Sequence, residues 1–80
     1  MTLKEAIIYR INELVDNRGL NASSLATLSG VDASTIYSIL GTKSKSPEVA
    51  TIKKICDGLD ITLGQFFSTP EFDALEQEIK

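Results

Sequence analysis

Apolar residues recur along this chain at helical spacing, and polar ones fill the gaps. Leu3, Ile7, Ile11, Leu14 and Val15 share one stripe of a first helix, with Arg10, Glu13 and Asp16 elsewhere. Thr2-Leu-Lys-Glu5 reads as a capping box at its start, and Gly19 as a left-handed cap at its end. Three later helices announce themselves by an N-cap between two apolar residues that staple the entry. These are Asn21 between Leu20 and Leu25, Asp32 between Val31 and Ile36, and Thr62 between Ile61 and Phe66, the last with Gln65 completing a capping box. A fourth helix is expected from about Glu48 to Asp57, turning Val49, Ile52, Ile55, Cys56 and Leu59 inward. Every apolar run follows helical spacing and no strand pattern appears. The pattern predicts an all-α body of five helices over residues 1–67. Ser68-Thr69-Pro70 then breaks the chain, and residues 68–80 form a short amphipathic tail with Phe72, Leu75 and Ile79 on one face. A helix this short is marginal by itself, so the tail needs something to pack against.

The densest information lies in residues 22–41. Two short helices meet at Gly30-Val31, with the small Ala26 four positions before the glycine and Ile36 six after it. Ala26 allows close approach, Gly30 can turn left-handed, and Leu25, Val31, Ile36 and Ile39 cement the corner from within. This spacing suits two helices crossing at roughly 90–120° through a turn of about three residues, a helix-turn-helix. The second helix of such a unit, starting here at Asp32, is the kind that lies in the major groove of DNA.

Composition adds limits. Eighty residues, 42% hydrophobic and 24% charged, are those of one small globular domain. Apolar runs are too short for a membrane span, and the N-terminus lacks a secretory core, so a cytoplasmic location is expected. A single cysteine and no histidine argue against a disulfide framework, a metal site or any cofactor. Cys56 sits where a small buried hydrophobe belongs. Catalysis finds no histidine base, no nucleophile–base pair and no glycine-rich phosphate loop to rest on, so no enzyme is expected.

Charge complicates the DNA reading, because phosphate contacts favour a basic surface. The net charge is −3, but Glu71, Asp73, Glu76 and Glu78 all lie in the last ten residues. Residues 33–47 contain Lys43 and Lys45 and no acid. On the third helix Ile36, Ile39 and Leu40 face inward, while Ala33, Ser34, Tyr37 and Ser38 face away. The plainer account of that face is an ordinary solvated surface. Alternatively its hydroxyls reach phosphates or base edges, and Ala33 or the Thr35 methyl touches a thymine methyl. It holds no Arg, Gln or Asn, so direct base readout is modest and DNA shape shares the work. Lys43, Lys45, Arg18 and Asn21 stand where they could brace the DNA backbone.

Residues 3–67 resemble the phage-repressor/Cro-type (XRE-like) helix-turn-helix regulators. The resemblance runs through Arg18-Gly-Leu-Asn21, Leu25-Ala26, Gly30-Val31, Ser34-Thr-Ile36, Lys43-Ser-Lys-Ser-Pro47, Thr51-Ile-Lys-Lys-Ile55, Leu59-Asp-Ile-Thr-Leu63 and Phe66-Phe67. It implies a five-helix repressor-like DNA-binding domain acting as a homodimer on a two-fold symmetric operator in double-stranded DNA. It implies base contacts at or beside Ala33, Ser34, Thr35, Tyr37 and Ser38, with Asn21, Ser23, Lys43 and Lys45 near the backbone. Ala22 stands where many members carry a phosphate-holding glutamine. Val15 and Leu40 stand where some carry an Arg–Glu pair.

Two functions remain open at this point: a DNA-binding transcriptional regulator that represses by occupying a promoter, or a module of the same fold that binds another protein, such as an antitoxin or a repressor modulator. The acidic total and the Phe72/Leu75/Ile79 stripe speak for the second. That stripe could dock on its own domain, pair with a second copy, or receive a protein partner.

Overall fold

The chain punctuates its helices by a repeated three-residue device: a left-handed residue, an apolar residue, then an N-cap. In the computed structural model, which describes residues 1–41 and 45–79, this device stands as Gly19-Leu20-Asn21, Gly30-Val31-Asp32 and Asp60-Ile61-Thr62. The left-handed φ angles are 64°, 68° and 58°. At each, the apolar residue's amide reaches back to a carbonyl of the helix just ended: Leu20 to Val15, Val31 to Ala26 and Ile61 to Cys56. Orphan carbonyls are thereby satisfied as in a Schellman turn. The same three apolar side chains pack half-buried against the core.

The elements so delimited, among the described residues, are α1 (Leu3–Asn17), α2 (Ala22–Ser29), α3 (Ala33–Leu40), α4 (Val49–Gly58), α5 (Leu63–Phe67) and α6 (Pro70–Asp73). All are helices, and the turn between α2 and α3 is the expected three residues, Gly30 to Asp32. Asn21 Oδ1 accepts from the Ser24 amide at 2.8 Å. Thr2 and Thr62 form full capping boxes with Glu5 and Gln65. The bond that the Thr2 amide donates to Glu5 holds that carboxyl below its usual range. Asp32 lies in the N-cap position, but its carboxylate makes no cap bond.

One core joins the helices, built from Ile7, Ile11 and Leu14 of α1, Leu25 and Ala26 of α2, Ile36 and Ile39 of α3, Ile52, Ile55 and Cys56 of α4, and Phe66 of α5. Val15 is buried and Leu40 packs on the cluster, so this apolar pair preserves packing. Cys56 is fully enclosed, and burial pushes its thiol pKa up.

Two residues expected inside are not. Leu3 and Val49 are 39% and 63% exposed. Each is the first residue of its helix, where a side chain leaning toward the N-terminus passes beyond the core's edge. The tail differs as well. Its helix is a single turn, Pro70–Asp73, and residues 75–79 are irregular, so Phe72, Leu75 and Ile79 do not share a helical face. Phe72 turns inward and stacks edge-on against Phe67, with ring centroids 4.9 Å apart, and tilted against Phe66 at 6.0 Å. Ile79 is 88% exposed. Glu71 and Asp73 suit the positive start of a helix, whereas Glu76 and Glu78 would fall toward its negative end, so continuation is disfavoured.

Arg10, expected on a plain polar face, has a structural task. Its Nε donates to the Phe66 carbonyl at 2.8 Å and its Nη2 to the Gln65 carbonyl at 2.7 Å, while Nη1 pairs with Glu13 at 2.6 Å. The guanidinium thus satisfies carbonyls at the end of the five-residue α5, where positive charge is also favoured. Arg10→Met keeps the aliphatic stem and removes the donors. It is expected to destabilise the fold by about 1–2 kcal/mol in urea titration.

Candidate nucleic-acid interface

The helices of the α2–α3 corner carry two exposed surfaces, one on the outer face of α3 and one at the start of α2. Ile36 and Ile39 anchor α3 from beneath, being 1% and 5% exposed. The opposite face carries Ala33, Ser34, Tyr37 and Ser38, all exposed, with Thr35 half-buried at its margin. Tyr37 is the large residue there, 59% exposed. These residues come together on one face because their spacing is helical and the inward stripe is occupied by isoleucines.

At the start of α2, Asn21 and Ser23 are exposed. The Asn21 Oδ1 is committed to the Ser24 amide and to the Ser24 hydroxyl at 2.9 Å. The Ser23 carbonyl accepts from the Thr27 hydroxyl at 3.1 Å. Arg18 is exposed as a residue, yet its Nη2 lies 3.4 Å from the Leu59 carbonyl, which draws its head toward the end of α4. Lys45 is exposed, in the stretch leading into α4. Lys43 lies outside the described residues. Tail residue Leu75 is half-buried and lines a hollow of about 440 Å³ with Met1, Thr2, Leu3 and Glu76.

Three features were not foreseen from the pattern. Leu28 is 52% exposed near the end of α2, although its helix is well packed. Lys4 donates from Nζ to the Lys45 carbonyl at 3.1 Å, joining α1 to the segment before α4. Gly58 carries no side chain where α4 meets α2, and a Cβ there would lie 2.8 Å from both the Leu28 carbonyl carbon and its oxygen. Its position in the last turn of α4 is a sequence signal of sorts, but it reads equally well as a C-terminal cap.

A family model described as the Cro/C1-type HTH DNA-binding domain matches residues 10–71. The chain belongs to that family. The Cro/C1-type match spans all of α2 to α5 and therefore includes the corner and both exposed surfaces just described. The crystal structure of the prophage Lp1 protein 11 is similar over 94% of this chain and 99% of that one, with a TM-score of 0.83 and 31% sequence identity. No curated protein sequence matches this chain. A Cro/C1-type domain binds DNA through its helix-turn-helix, and the family is typically non-enzymatic. No helix among the described residues is long and apolar enough to cross a membrane.

Proposed function

We propose that this Cro/C1-type domain is a transcriptional regulator that represses by occupying a promoter, laying α3 in the major groove of double-stranded DNA. The observation that supports this reading best is the exposed, acid-free face of α3, carried by the second helix of a helix-turn-helix. In this reading Ala33, Ser34, Thr35, Tyr37 and Ser38 meet base edges or lie next to them. Asn21, Ser23, Arg18, Lys43 and Lys45 meet the phosphates, Asn21 through the amide nitrogen that its cap bonds leave over. Short side chains on the reading helix assign much of the affinity to the backbone contacts and part of the specificity to DNA shape.

Residues 1–67 form the DNA-binding unit in this proposal, and 68–80 a tail docked on it. Phe72 against Phe66 and Phe67 supports docking on the same chain. Leu75 and the exposed Ile79 are then the tail residues left for a second copy or a protein partner. A homodimer on a two-fold operator completes the reading, and a cytoplasmic site of action accords with it.

Selection of random duplex DNA by the purified protein, at low and moderate salt, tests class and symmetry together. An enriched palindrome is the expected result; no enrichment at low salt would sink the proposal. The affinity for the selected site should fall with salt, log K against log salt sloping by about −0.9 per neutralised phosphate. Substituting Lys43 and Lys45 together by alanine should weaken binding about tenfold for all sequences and flatten that slope. Replacing Ser34 or Ser38 should instead change preference among sequences.

A further inference from the structure

Residues 45–47 lead into α4, and among the described residues they make almost no hydrogen bonds of their own. Among the described residues, no backbone–backbone bond reaches residues 45–47, and the one bond that ties this stretch to the rest of the protein is the 3.1 Å contact from Lys4 Nζ to the Lys45 carbonyl. Its partners are 41 residues apart in sequence. The donor sits on a firm base: Lys4 lies in the first turn of α1, beside the Thr2–Glu5 capping box and one turn before the buried Ile7. Residue Lys4 is half-buried while the bond itself is exposed, so the head reaches across at the surface.

We propose that Lys4 is a positioning residue for DNA binding, fixing the main chain at Lys45 so that the cation of that residue is presented to the phosphate backbone before DNA arrives. This rests on the DNA-binding reading above. Ordering a backbone segment costs entropy whenever it happens. A segment already held in place spares binding that cost, which is the effect of preorganisation. The ammonium also lies at the positive N-terminal end of α1, a location that helix electrostatics disfavour. Helix electrostatics therefore give its charge no stabilising role in α1.

Lys4→Met keeps the stem and removes the donor, and Lys4→Arg restores one. Three readouts on the full chain decide the matter. First, Lys4→Met should weaken binding to the selected duplex about fivefold, the size of one hydrogen bond, with Lys4→Arg recovering most of it. Second, the slope of log K against log salt should stay as in the parent, since Lys45 still reaches its phosphate once the ordering cost is met; a slope shallower by about one contact that also appears when Lys4→Met is made in a Lys45→Ala background would make Lys4 itself a phosphate ligand and overturn the proposal. Third, in the DNA-free protein, the carbonyl carbon resonance of Lys45 should move in Lys4→Met and return in Lys4→Arg, while the melting temperature holds or rises. An unmoved resonance or parent-like affinity also overturns it. Should the parent protein bind no duplex at all, the regulator reading fails, whereas the Lys45 resonance still reports on the Lys4 tie alone.

Discussion

Phe66→Ala is expected to remove about 3–5 kcal/mol of stability, the cost of deleting a fully buried phenyl ring. Phe66 is 0% exposed and touches Phe67 edge-on at a centroid distance of 4.9 Å and Phe72 at 6.0 Å. It lies on α5, which is only five residues long and holds its place by that ring, by the Thr62–Gln65 capping box and by Arg10. A helix of this length has no independent stability. Removing the ring therefore releases α5, the seat of Phe72 and the guanidinium's acceptors together. For a domain of this size the loss approaches the whole folding free energy. Thermal unfolding followed by circular dichroism should show a large drop in Tm or no cooperative transition. Phe72→Ala, at a half-buried position on the rim of the same cluster, should cost clearly less. A Tm unchanged in Phe66→Ala would contradict the packing described.

Gly58→Ala is expected to destabilise by about 2–3 kcal/mol, against the direction that helix propensity alone predicts. In an ordinary helix the added methyl would gain roughly 1 kcal/mol. Here it would lie 2.8 Å from the carbonyl carbon and oxygen of Leu28 and 2.9 Å from the Ser29 amide nitrogen. These are backbone atoms, so no rotamer change relieves the overlap, and α2 and α4 must separate. Their contact also buries Ser29, whose hydroxyl finds no partner among the described residues, so there is no polar network to absorb the shift. Because α2 carries Asn21 and seats α3, the displacement should reach the DNA-facing side as well. Urea unfolding measures the stability loss. Weaker binding of the selected duplex by the folded fraction would show that the helix spacing, and not only the helix faces, matters for function. A stabilised Gly58→Ala would mean that the two helices do not touch at this point.

Much of this molecule is written in local chemistry. Helix order, the three-residue corner at Gly30 and the Asn21 and Thr62 caps each depend on residues a few positions apart, and periodicity reports such relations directly. So does the division of α3 between a buried isoleucine stripe and an exposed short-chain face. The N-terminal residues Leu3 and Val49 misled the pattern because periodicity gives the angle around a helix and not the distance along it to the core's edge.

What the sequence determined by itself was therefore the fold class, the corner and the face that the corner exposes. What only the tertiary structure decided were contacts between residues far apart in the chain: Arg10 on the α5 carbonyls, Gly58 against α2, Lys4 on Lys45, and Phe72 folded back on Phe66 and Phe67. Arg10 and Lys4 look alike on a helical wheel, as polar residues off the apolar stripe. Their tasks arise only when another element brings an unsatisfied carbonyl within about 3 Å, the reach of a hydrogen bond. The tail follows the same logic: too short to be a helix for long, it took its form from the aromatic surface available to Phe72.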